Sequence, residues 1–323
     1  MNYHLLSNKL KESIVLATTL SKLLLTNQIN LCTSPSKIDL LRVTLYRRTL
    51  LISEAISKLL PVSKTEYFSF TSIASLTRVL VESYRPFYYL TIENIKDEER
   101  DFRYLLFEVY LLIERRNMIE AIRNGNKHPD LQTELVERKQ KIINHPYYKF
   151  LRDTKNSEHI YRKLVQSIED TEKDGPKKNI EFSNGFMEIL GKGCFKNDKT
   201  ILLERLATYK LSEPFSDEEK KKIGNRFDKF FNKLMSNYVH SSAFAISMEH
   251  DSNFQLNQEV ELFLNQMVSC CIFYIITATQ DLLELCQLSQ NNDLIQECEK
   301  AEDGALVFLS ILIGKCTSAE TNP

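Results

Sequence analysis

The sequence predicts an all-α protein, a multi-helix bundle of long helices. Three observations carry that prediction. With only 8 Gly and 8 Pro in 323 residues, tight turns are few and the segments between them are long. Apolar residues recur at three- and four-residue steps, and no sustained alternation of Val or Thr with polar residues marks strands. Hydrophobic residues at 43% and charged residues at 26% give the balance of a folded chain rather than a disordered one.

Taken in order, Leu5 to about Thr26 reads as an amphipathic helix, with Leu6, Leu10, Ile14, Ala17 and Leu20 on one face. Thr33-Ser34-Pro35-Ser36 breaks the chain and starts a second helix, which runs from about Lys37 to Leu60 and ends at Pro61. Residues 1–62 are therefore expected to form an N-terminal helical hairpin. A third helix covers roughly Glu66 to Glu93, with a kink near Pro86. Asp97-Glu98-Glu99 places negative charge on the first turn of a fourth helix, where the dipole favours it, and Gly125 caps its end. Pro129 opens a charged fifth helix that His145-Pro146 breaks.

Residues 63–145 are thus the first half of a helical core, and 146–199 read as an irregular insertion. Its glycines, Gly185, Gly191 and Gly193, match no phosphate-loop spacing. The second half of the core spans 200–315. It holds a short helix from Asp198 to Leu211, a helix from Ser216 to about Met248, a charge-poor helix from Asn257 to Gln287, and a last helix from about Asp293 to Lys315. Ser216 and Glu219 have the spacing of a capping box. Residues 316–323 are expected to be a flexible tail.

A net charge of −1 argues against global attraction to nucleic acid or anionic lipid. No Lys or Arg occurs between Lys233 and Lys300, so that tract is a poor surface for phosphates. Seven cysteines without a C-x-x-C spacing predict neither a disulfide framework nor a zinc site, and fit a reducing cytoplasm. The start, Met1-Asn2-Tyr3-His4, has no basic segment of a secretory signal. Leu262 to Gln280 is uncharged and long enough to span a bilayer. Asn265, Gln266, Thr277 and Thr279 dilute it and its flanks lack basic anchors, so a buried central helix is expected rather than a membrane span.

Two stretches offer candidate binding residues. On a wheel of the Ser216 helix, Ile223, Phe227, Phe230, Leu234, Tyr238, Ser241 and Ala245 form one seam, and His240 lies on its shoulder. The plain reading is a packing seam with a partly exposed histidine. The sharper one puts His240 and Ser241 in a polar pocket, where a histidine exchanges protons near neutral pH. On the third helix Thr71, Ser75, Arg78, Glu82 and Tyr89 line one face, with Arg85 beside them. An exposed Arg78–Glu82 pair contributes only about 0.3–0.5 kcal/mol. Yet no Lys occurs between Lys64 and Lys96, so this stripe is expected to face a pocket or another helix, where Arg binds a carboxylate or phosphate.

Ser75 to Ser83, with its Arg78-x-x-x-Glu82 spacing, and Leu234 to Ser242, with Ser236-x-x-x-His240-Ser241, resemble the two recurring segments of the bacterial family known as domain of unknown function 5677. The resemblance covers roughly residues 66–290. It implies an all-α bacterial protein with Arg78, Glu82, His240 and Ser241 as the carried-over positions, and it implies no reaction.

A competing motif is that of HEPN-type helical ribonucleases, which resemble one another in an Arg, often followed by Asn, and a His a few residues later. Arg123-Asn124-Gly125-Asn126-Lys127-His128 has that spelling, and Arg138 to His145 and Arg152 to His159 match it more loosely. Such a pair could bind and protonate a scissile phosphate. Against it, Gly125 and Pro129 make this a helix end, and short motifs of common residues arise by chance. His-Glu-x-x-His, Gly-x-Ser-x-Gly, dinucleotide and Glu-x-x-His signatures are missing, so neither a cofactor nor a metal is expected.

The sequence thus favours a helical interaction or ligand-sensing protein without catalysis, in a bacterial defence or stress setting. Its expected partner is a protein or a second copy. The alternatives are a metal-independent HEPN-like ribonuclease, which alone brings in nucleic acid, and a membrane-associated helical protein.

Overall fold

The computed structural model describes residues 3–31, 37–63, 68–122, 129–154, 161, 165–166, 169, 198–208, 215–230, 258–285 and 292–313. Among them the secondary structure is helical throughout, with no strand, as the composition predicts. The chain divides into two compact units: Met1–Tyr88 with Asn197–Pro323, and Tyr89–Lys196. The divide falls between consecutive tyrosines, inside the 63–145 segment that the sequence reads as one half of a core.

The first unit contains α1 (Tyr3–Leu31), α2 (Lys37–Leu59) and α3 (Phe70–Phe87). The π turn Tyr88–Ile92 follows α3 directly. Further on, the second unit contains α4 (Asp97–Ile122), α5 (Pro129–Asn144) and α6 (Pro146–Thr154). The chain returns to the first unit with α7 (Asp198–Thr208), α8 (Asp217–Lys229), α9 (Gln258–Leu285) and α10 (Asn292–Ile313).

Helix α9 is the centre of the first unit, packed against α1, α2, α3 and α10. Every side chain from Met267 to Thr279 is buried. A stretch with no solvent face leaves no outlet for a basic side chain, which accounts for the absence of Lys and Arg along 267–279. The stretch Val260–Leu285 is long and apolar enough to cross a membrane, with a mean hydropathy of 1.6, and 78% of its most apolar window is buried against the rest of the protein. Two of its threonines are satisfied from within the helix. Thr277 Oγ1 donates to Phe273 O at 2.8 Å, and Thr279 Oγ1 donates to Ile275 O at 2.7 Å. The buried Tyr46 hydroxyl lies 3.0 Å from Thr279 Oγ1 and 3.1 Å from Ala17 O, tying α1, α2 and α9 together. Cys270, Cys271 and Cys298 are buried and behave as small hydrophobes.

The π turn after α3 alters the expected stripe. Pro86 lies inside α3, where it has no N–H to offer the Glu82 carbonyl, and the π turn begins two residues later. The added residue per turn breaks the three- and four-residue register. Tyr89 therefore leaves the Thr71–Ser75–Arg78–Glu82 face and is buried, with its hydroxyl 2.8 Å from that of Tyr161 in the second unit.

The second unit has its own core of Phe102, Leu106, Val109, Ile142 and Tyr148. His145, read as a helix breaker, also starts the next helix. Its Nδ1 accepts the backbone N–H of Tyr147 at 3.2 Å, and its carbonyl accepts that of Lys149. In α8 the expected capping box is present: Glu219 N donates to Ser216 Oγ at 3.3 Å and Ser216 N donates to Glu219 Oε2 at 2.9 Å.

Gly224 sits inside α8, and a methyl there would lie 2.8 Å from Lys199 Cε, the far end of a flexible side chain. Gly-to-Ala in a helix interior gains about 0.8–1.0 kcal/mol. Loosening the partly exposed contacts of Lys199 with Asn225 and Asp228 costs less than about 0.5 kcal/mol. Gly224→Ala is thus expected to raise the unfolding free energy in urea by about 0.5 kcal/mol; a clear loss would show that Lys199 cannot move.

Candidate functional site

The stripe on α3 begins at an N-cap, where Ser72 N donates to Ser69 Oγ at 3.2 Å. Arg78 Nε donates to Glu82 Oε1 at 2.8 Å, with side chains 28% and 43% exposed. These two sequence-chosen residues therefore meet each other. Arg78 Nη1 is shielded from solvent with no hydrogen-bond partner among the described residues. The residue that reaches another helix is Arg85, one helical step further on. It grips Asp198 of α7 with both prongs, Nε to Oδ1 at 2.9 Å and Nη2 to Oδ2 at 2.6 Å. Burial pushes the Asp198 carboxyl above its usual range, and the two bonds from Arg85 oppose that rise.

His240 and Ser241 lie outside the described residues, as do Arg123 and His128. The looser ribonuclease spellings have other occupations. Arg138 donates to Glu108 Oε2 at 2.8 Å, and Arg152 Nε to Asp153 Oδ1 at 3.1 Å. His145 caps α6 with its ring against Phe102, and burial holds its imidazole below the ordinary value although Asp101 and Glu98 oppose this.

Among the described residues the most deeply buried charges lie away from the α3 stripe. On α9, Asp281 is 1% exposed. Its Oδ2 accepts the Tyr84 hydroxyl at 2.7 Å and its Oδ1 accepts Arg205 Nη1 of α7. The Arg205 guanidinium lies over the Tyr88 ring, 4.5 Å from its centroid, and donates to Thr208 Oγ1 at 3.2 Å. Tyr88 in turn donates to Glu204 Oε2 at 2.6 Å. Tyr274 packs edge-on against Tyr84, and its fully buried hydroxyl has no hydrogen-bond partner among the described residues.

The second unit repeats the theme with different residues. Arg103 is buried beneath the Tyr89 ring at 3.9 Å. It donates to Glu93 Oε2 at 2.6 Å, Glu99 Oε1 at 2.7 Å, Tyr89 O at 2.9 Å and the Tyr161 hydroxyl at 2.8 Å. Burial would weaken its hold on the proton, but the surrounding tyrosines and Glu93 outweigh that and raise its pKa. The Tyr161 phenol is pushed far up by burial.

Chemically these clusters are closed. Arg103 and Arg205 both donate to carboxylates and hydroxyls, and Arg103 also to a carbonyl. Burial drives the Tyr161 and Tyr274 phenols upward and lifts the Cys271 thiol to about 12, so these three groups stay protonated near neutrality. Among the described residues no three His, Cys, Asp or Glu side chains converge as metal ligands.

An open feature lies elsewhere. Between α2 and α3 runs a groove of about 630 Å³ lined by Leu40, Val43, Leu51, Ile52, Ala55 and Leu76. Leu40 is 52% and Leu51 60% exposed. Arg47, Arg48 and Thr44 complete the lining. Both arginines are exposed, and neither makes an ion pair or side-chain hydrogen bond among the described residues. On the opposite side of α2, Leu45, Tyr46, Leu50 and Ile56 enter the core. Helix α2 thus has two apolar faces. The sequence carried that signal in the spacing 40, 44, 47, 51, 55, which the reading of a simple hairpin passed over.

No protein-family model, curated protein or solved structure matches this chain.

Removing one partner of a buried ion pair leaves the other charge uncompensated. Asp281→Ala is therefore expected to lower the unfolding free energy by about 3–5 kcal/mol. Arg78→Ala, at a partly exposed pair, should cost less than about 1 kcal/mol. Urea unfolding followed by circular dichroism checks both, and equal losses would contradict the assignment of Asp281 to the core.

Proposed function

We propose that this chain works by binding, as a helical interaction or ligand-sensing protein whose receiving surface is the groove between α2 and α3. One observation carries the reading: an apolar groove of about 630 Å³ has in its wall two exposed arginines without ion-pair partners among the described residues. Aligned exposed leucines are costly to hydrate, and a surface that keeps them is commonly one that covers them on binding. Burying the exposed half of Leu40 and Leu51 contributes about 1–1.5 kcal/mol each.

The closed clusters support the same reading from the other side. Arg85, Arg103 and Arg205 are held by carboxylates within the fold, so their charges are committed to packing. Arg47 and Arg48 keep theirs for something else.

Anilinonaphthalene sulfonate, an apolar ring system with one anionic group, is a suitable probe. The native protein is expected to bind it at one site with a dissociation constant of order 10–100 μM. Leu51→Glu, on an exposed position, should weaken binding by about tenfold or more while leaving the helical spectrum unchanged. Absence of binding, or binding indifferent to Leu51→Glu, would overturn the reading.

A further inference from the structure

We infer that the occupant of the α2–α3 groove is an acidic amphipathic helix of a partner protein, about four turns long. The inference rests on the groove being a binding surface, and adds what binds there.

Shape argues first. The lining on α2 runs from Leu40 to Ala55, which at the helical rise is about 22 Å. Leu40, Thr44, Arg47, Leu51 and Ala55 follow one another at three- and four-residue steps, so they form a single ridge along the helix. Leu76 supplies the facing wall from α3. A long trough between two helices is the seat of helix-in-groove recognition, read by apolar anchors at every third or fourth position. A small molecule fits less well. Such ligands are enclosed over most of their surface, whereas Leu40 and Leu51 stand more than half exposed.

Charge argues second. Helix α2 carries Lys37, Arg42, Arg47, Arg48 and Lys58 against only Asp39 and Glu54, in a chain whose net charge is −1. Arg42 is occupied, its Nη1 donating to Asp39 Oδ1 at 2.7 Å. Arg47 and Arg48 stand midway along the groove, where carboxylates flanking the apolar stripe of a docked helix would meet them. Complementary charge of this kind sets orientation and speeds association. An RNA backbone would meet the cations but gain nothing from a leucine floor. A flat lipid surface would meet Leu40 and Leu51 but could not reach a trough between helices.

The test uses the full chain and a fluorescein-labelled peptide of about 15 residues, with leucines at helical spacing flanked by glutamates. Fluorescence anisotropy is expected to give micromolar binding that weakens as salt rises. Arg47→Glu with Arg48→Glu should weaken it by about tenfold or more, and should restore binding to a version of the peptide with lysines in place of glutamates. Both arginines are exposed, so circular dichroism should show the fold intact.

Equal binding of the two peptides by the wild type would overturn the inference. So would loss of peptide binding while the naphthalene sulfonate still binds, which would leave the groove as a small-molecule site. Binding to phosphatidylserine–phosphatidylcholine vesicles in place of the peptide would make the occupant a membrane. A concentration-dependent mass by light scattering that Leu51→Glu abolishes would make it a second copy. If neither probe binds, the groove reading itself falls.

Discussion

A carboxylate in the middle of an apolar core has to be neutralised, and Asp281 cannot be neutralised from its own helix. Helix α9 carries no Lys or Arg. The positive charge comes from Arg205 on α7, and a further hydrogen bond comes from Tyr84 on α3. The three helices must therefore meet at one point, with Tyr88 covering the guanidinium. Such a pair contributes little net stability, because desolvating both ions offsets most of their attraction. Its force is conditional. Any packing that separates α7 from α9 leaves an unpaired ion in the core, so the arrangement is selected by what its alternatives would cost.

The same logic holds in the second unit, where Arg103 faces Glu93 and Glu99 under the ring of Tyr89. Among the described residues each unit thus has one buried arginine, capped by one of two consecutive tyrosines. Two groups of charges stand apart among the described residues. One is buried, hydrogen-bonded and closed to chemistry. The other is exposed on α2 beside leucines that point away from the core, and this set carries the proposed function.

Much of the fold is legible in the sequence, and most plainly at helix ends. Ser216 with Glu219, the acidic turn at Asp97 and the start at Pro129 each satisfy local backbone needs, so local residues announce them. What tertiary contact decides is less legible. Arg103 stands four residues after Glu99 and reads as a surface pair; only packing against Tyr89 and Tyr161 makes it a core residue. Wheel geometry places Tyr89 on the α3 face because it assumes an unbroken register, which the π turn interrupts. Asp281 offered a signal, being the first charged residue after Glu261 in a buried tract, and its partner had to lie elsewhere. The lysine-free sequence around Arg78 and Glu82 predicts that they face a pocket or a neighbouring helix. They pair with each other, and the neighbouring helix is met by Arg85.

Hydrogen exchange of the full chain, measured with and without a saturating acidic helical peptide, tests the division of charges most directly. The account predicts new amide protection over 40–55 of α2 and around Leu76 of α3, with exchange near Arg103 and Arg205 unchanged. Protection centred on either buried arginine, with none along α2, would contradict it.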